Sequence, residues 1–165
     1  MHSPIDGNDG IPPVLFAIPF PQIRGEDEED TFLLKEMAEM ATRYLRSFDW
    51  CIDIEDGYFT DGVGGVVGMF LFRLKIRGFA KPQWLWVFMG NIPSAYLLVG
   101  KYTNPRAALE KYIQGLEQWV REAEHGKISP DMIPIELSPS PENLSKALGT
   151  IASLRESILP NIRCE

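Results

Sequence analysis

Apolar and polar positions change period several times along the chain, and each change marks an element. Between 31 and 47, Leu33, Met37, Met40, Tyr44 and Phe48 recur at helical spacing, with Leu34, Ala41 and Leu45 beside them. That period lays one apolar stripe along a helix. Asp30 is the expected N-cap, and the acidic run at 26–30 faces the positive end of the helix dipole. From 48 to 55 the period drops to two. Trp50, Ile52 and Ile54 then point one way, and Cys51, Asp53 and Glu55 the other. Asp56 and Gly57 form a turn signal. Phe70, Phe72, Leu74 and Ile76 alternate with Leu71, Arg73, Lys75 and Arg77. The stretch WLWVFM is apolar on both faces, as a central strand covered on both sides must be. AYLLV pairs back after the connection at 91–94, so the block 48–99 predicts an antiparallel meander of about four to five strands.

Both flanks also carry readable elements. Pro19 and Pro21 restrict VLFAIPFP, residues 14–21, to an edge strand or an irregular arm. Asn104 and Pro105 open a second helix with a broad stripe from Ala108 through Tyr112, Leu116 and Trp119 to Ala123, and Gly126 ends it. Gly115 inside that helix costs about 1 kcal/mol relative to Ala, so it predicts a close approach by another element. A proline-spaced segment at 128–141 reads as extended. Ser140 and Pro141 then open a last helix, striped by Leu144, Leu148, Ile151, Leu154 and Ile158 and stopped by Pro160. Strands flanked by helices predict an α+β class, with one N-terminal and two C-terminal helices around the sheet. Residues 1–13 read as a loose terminus and 14–165 as a single domain.

Composition narrows the function classes. At 165 residues and 45% apolar, the chain can build a packed core. No apolar run reaches the length of about 18 residues that a membrane helix needs. The first residues show no basic and apolar regions of a secretory signal. Cys51 and Cys164 give neither a disulfide framework nor a metal knuckle, which points to a reducing cytoplasm. The net charge of -7 argues against nucleic-acid binding, and no cofactor is implied.

Candidate chemistry centres on IEDGYFTDGVGGVVG, residues 54–68. Its glycines feed a strand rather than a helix, so they read as a turn or a bulge and not as a phosphate loop. Asp53, Glu55, Asp56 and Asp61 could supply oxygen ligands to a divalent metal or a small ligand at the sheet edge. The competing reading pairs these acids with Arg73, Lys75 and Arg77 across neighbouring strands. His2 and His125 sit in a loose terminus and at a helix end, which leaves no nucleophile–base arrangement. Aromatic residues outnumber what one small core holds. Trp84, Trp86 and Tyr96 are therefore candidates for a pocket or a subunit interface, with a homodimer or a protein partner as the expected assembly.

FLFRLKI, then WLWVFMGNIPSAYLLV, then NPRAALEKYIQGLEQWV, over roughly residues 65–125, resemble a family of small uncharacterised bacterial proteins. That resemblance implies a soluble bacterial protein of one α+β domain and brings no activity or catalytic residue. The reading from sequence is a non-catalytic cytosolic binding or interaction protein. One version is an immunity-type protein that blocks a basic toxin. The alternative is an enzyme or small-ligand binder, with or without a metal, using the four acids.

Overall fold

A computed structural model describes residues 11–126, 133–135 and 137–163. The reading of a loose N-terminus lies almost wholly outside the described residues, as do residues 128–132 and 136 of the extended reading of 128–141. Five strands form one antiparallel sheet in chain order: β1 (Ile18–Pro19), β2 (Cys51–Val63), β3 (Val67–Ile76), β4 (Gln83–Gly90) and β5 (Ala95–Leu98). Helix α1 (Glu28–Arg46) precedes the meander, and α2 (Pro105–Glu124) and α3 (Pro141–Ser153) follow it. The α+β class and its helix placement match the sequence reading.

The sheet is the middle of three layers. Phe70, Phe72, Leu74, Leu85 and Val87 meet Leu34, Met37, Ala41 and Leu45 of α1 in one core. On the other face Met69, Leu71, Trp84, Trp86 and Phe88 meet Ala108, Leu109, Tyr112 and Leu116 of α2. The doubly apolar β4 thus finds a helix on each side, as its composition requires. Buried polar ends are satisfied: Trp86 Nε1 donates to the Tyr102 carbonyl at 2.8 Å, and the Tyr112 hydroxyl to the Pro93 carbonyl at 2.6 Å.

Several local expectations change. The cap of α1 is Asp27, which accepts the Asp30 N–H at 2.8 Å, because Glu28 and Glu29 already join the helix. Its buried stripe is Leu34, Met37, Ala38, Ala41 and Leu45, so Met40 turns outward. No turn forms at Asp56 and Gly57, and β2 runs on to Val63. Gly57 instead makes room for the Phe20 ring, which a Cβ there would meet at 2.4 Å. The chain reverses at Gly64–Val66, where Gly65 takes φ +79°. The expected turn thus falls on the later glycines. Three irregularities in the β2–β3 register, between Cys51 and Asp53, Ile54 and Asp56, and Phe59 and Asp61, break the simple alternation. Cys51 and Ile54 consequently pack on the same α1-facing core. The last helix is regular only to Ser153; a wider turn (Leu154–Ile158) and a tight one (Leu159–Asn161) complete it.

Gly115 fulfils its expectation. A Cβ there would stand 2.1 Å from Ile133 Cγ2, so the glycine admits the chain that returns past α2.

Candidate functional site

The four candidate acids are strung along β2 and do not converge. Asp53 and Asp61 are separated by roughly 25 Å of strand at the usual rise per residue. Among the described residues, no three His, Cys, Asp or Glu side chains stand where they could share a metal ion. Each acid has a local role instead. Exposed Asp53 lies opposite Lys75 in the register, and Asp56 opposite Arg73. Glu55 sits at an irregularity and forms an ion pair with Arg73, both side chains being largely covered. Of the cross-strand pairs that the sequence offered as the alternative to a site, Glu55–Arg73 forms an ion pair.

Asp61 behaves differently. Its carboxylate accepts the Gly62 N–H at 3.2 Å and the Arg163 N–H at 3.3 Å. It therefore ties the end of the chain to β2. Burial raises its pKa above the ordinary carboxylate range, against the pull of these two donors and of the Arg163 charge.

Trp84 and Trp86 are core residues, 3% and 0% exposed, and stand two apart on the face that α2 covers. Neither reaches the surface to line an interface or an open pocket. Tyr96 keeps its place at the surface. It faces α1 from edge strand β5 and is half-buried.

Around Tyr96 the sequence-distant rings interlock. Phe48 stacks on Trp50 at 4.9 Å and 14° between planes, and meets Tyr96 edge-on at 5.3 Å. Trp50 and Tyr96 are 4.8 Å apart, and Tyr44 closes on Phe48 at 5.1 Å. Such pairs each add about 0.5–1.5 kcal/mol beyond their area burial. Helix α1 ends one residue short of Ser47, and the turn that follows projects Phe48 and Trp50 against the sheet. Burial holds the Tyr96 hydroxyl above its ordinary pKa, while a hydrogen bond with Trp50 opposes the shift.

Exposed apolar side chains gather at this end of the sheet. Leu98 on β5 is 43% exposed, Ile52 at the first irregularity of β2 is 55%, and Phe79 in the β3–β4 connection is 46%. Exposed cations stand on the adjoining elements: Arg43 and Arg46 in the last turn of α1, and Arg77 and Lys81 in the β3–β4 connection. Arg77 is fixed by its N–H to the Trp50 carbonyl at 2.9 Å. Asp49 and Asp53 are the acids nearest in sequence to the rings.

Cys51 lies beside the ring cluster. Burial raises its thiol pKa; Arg46 lowers it and Asp53 adds to the rise. The protonated thiol is a poor nucleophile. His125 is exposed at the α2 end, its Nδ1 2.7 Å from the Arg121 carbonyl oxygen.

Sequence reasoning singled out Tyr96 but not its companions. Phe48 read as the last residue of a helical stripe and Trp50 as the first of a strand. Their closeness along the chain, three aromatics in seven residues with Tyr44, was the available signal. Comparison with protein-family models, curated proteins and solved structures found no match.

Proposed function

We propose that the protein is a non-catalytic binding protein, and that it takes an acidic, apolar-anchored segment of a partner protein on the ring cluster of Phe48, Trp50 and Tyr96. One observation carries this reading. Three interlocked rings remain half-buried beside exposed Leu98, inside a rim of Arg43, Arg46, Arg77 and Lys81. Rigid aromatic anchors and arginine are the residue types that carry binding energy at interfaces. Scattered exposed apolar residues are ordinary, but an apolar group rimmed by polar and charged residues marks an interaction surface.

The rim holds four basic residues against Asp49 and Asp53, in a chain whose net charge is -7. Local charge, not the total, sets which partner is steered to this face. This favours an acidic partner here over the basic toxin of an immunity-type reading. The acidic run ahead of α1 does not offer an equivalent surface, because Asp27 and Asp30 spend their carboxylates on the helix start. A cytosolic setting fits the reading.

Selection from a displayed peptide library tests it. The expected result is enrichment of sequences with Asp or Glu flanking two apolar anchors, and loss of their binding with Leu98→Asp. Enrichment of basic peptides, or binding unchanged by Leu98→Asp, overturns the proposal. Capture by anionic vesicles but not by any peptide would reassign the surface to a membrane.

A further inference from the structure

At the opposite end of the sheet, α3 and the hairpin tips enclose a trough. Two adjoining cavities of about 300 Å³ and 370 Å³ share Asn91, Ile92, Lys146 and Thr150 in their walls. Together they reach the volume of an ordinary small-ligand site.

The trough is built before any ligand arrives. Its sheet-side wall is the β4–β5 connection, held by the Asn91 N–H to the Val66 carbonyl at 2.9 Å. The neighbouring Pro93 carbonyl accepts the buried Tyr112 hydroxyl, so this wall is anchored to the core. The opposite wall is α3, which turns Lys146, Gly149 and Thr150 toward it. Gly149 leaves the space open: a Cβ there would meet nothing within 4 Å.

Among the described residues, the charge that lines the trough is that of Lys146, an exposed side chain one turn after Glu142 on α3. Among the described residues, no carboxylate lines either cavity and Lys146 has no ion-pair partner. The chain carries 23 acidic against 16 basic residues, so a cleft holding a lysine and no acid departs from the rest of the molecule. The Thr150 hydroxyl and the Asn91 side-chain amide supply hydrogen-bond donors around that lysine, while the Ser94 hydroxyl already donates to Met89 Sδ at 3.3 Å. Ile92 and Leu137 supply apolar surface for a carbon skeleton.

We infer that this trough binds a small organic anion, a carboxylate or a phosphate monoester. Lys146 pairs with the charge, and Asn91 and Thr150 donate to its oxygens. The site is independent of the ring cluster, and neither proposal rests on the other.

The experiment is a titration of ¹⁵N-labelled protein with phenyl phosphate, benzoate and neutral benzyl alcohol at constant ionic strength. Saturable amide shifts at Asn91, Ser94 and Thr150 are expected with one or both anions, and which anion binds more tightly identifies the head group. Lys146→Gln is expected to weaken binding at least tenfold while leaving the spectrum folded. Gly149→Leu, which places a side chain where an added Cβ meets open space, is expected to abolish it. Shifts that never saturate, equal binding of benzyl alcohol, or undiminished binding by Lys146→Gln overturn the inference.

Discussion

Asp30 Oδ1 accepts the backbone N–H of Gly64 at 2.6 Å, across 34 positions of chain. Its Oδ2 takes the Glu26 N–H at 2.9 Å. One carboxylate thus fastens the start of α1 to the tip of the β2–β3 hairpin. Glycine at 64 is required by this contact, because a Cβ would stand 2.7 Å from Asp30 Oδ1 and 2.8 Å from Leu33 Cβ. Hydrogen bonds to a charged group contribute about 1.5–3 kcal/mol each to stability. Asp30→Ala is therefore expected to cost about 2–3 kcal/mol in urea denaturation, with the slope unchanged. Asp30→Asn keeps one acceptor and is expected to cost less.

Gly115→Ala sets two effects against each other. Helix propensity alone would stabilise α2 by about 1 kcal/mol. Ile133 Cγ2, 2.1 Å from the added methyl group, must move, and overpacking of this kind costs about 1–3 kcal/mol. Net destabilisation is expected, measured as a lower Tm. Pairing the change with Ile133→Ala should remove the clash and recover the propensity gain.

The pH dependence follows from Asp61. Burial, the largest influence, raises its folded pKa above the unfolded value. The folded state then holds the proton to higher pH than the unfolded state does. Stability from this group is fully present below the unfolded pKa and declines as pH rises through the folded pKa. The difference in Tm between the native protein and Asp61→Asn is expected to shift against the native protein as pH rises from about 4 toward neutrality. A difference independent of pH would contradict this assignment.

Glu55 and Arg73 give a test of what the acids of β2 are for. A double-mutant cycle with Glu55→Gln and Arg73→Gln is expected to show coupling of about 1 kcal/mol, the upper end for partly exposed pairs. Added Mg²⁺ or Mn²⁺ is expected to leave the Tm unchanged, since a ligand that binds the folded state would raise it.

The layers were legible in the sequence because they follow from periodicity. WLWVFM could be buried on both faces only between two helices, and Asn104 with Pro105 placed the start of α2 to the residue. What was not legible depended on contacts distant in sequence. Asp56-Gly57 carries a strong turn signal, yet the Phe20 ring packed over Gly57 keeps the strand straight through it. The register irregularities at Ile52, Glu55 and Thr60 have no local signature, so Cys51 joins Trp50 and Ile54 on the α1-facing core and Ile52 is exposed, against the simple alternation. The site was legible only in part. Tyr96 stood out, but Trp84 and Trp86 were indistinguishable from it until α2 was seen to cover them. Nothing in the chain announces that Arg163 reaches Asp61 or that α3 borders the β4–β5 connection.

The most direct measurement follows indole N–H signals while an acidic peptide with two apolar anchors is added to ¹⁵N-labelled protein. The four tryptophans are natural reporters: Trp50 belongs to the proposed surface, while Trp84, Trp86 and Trp119 are buried. A saturable shift of Trp50, absent at the other three and lost with Leu98→Asp, is the predicted result. A motionless Trp50 at saturating peptide, or equal shifts at the buried indoles, would contradict the ring cluster as the binding surface.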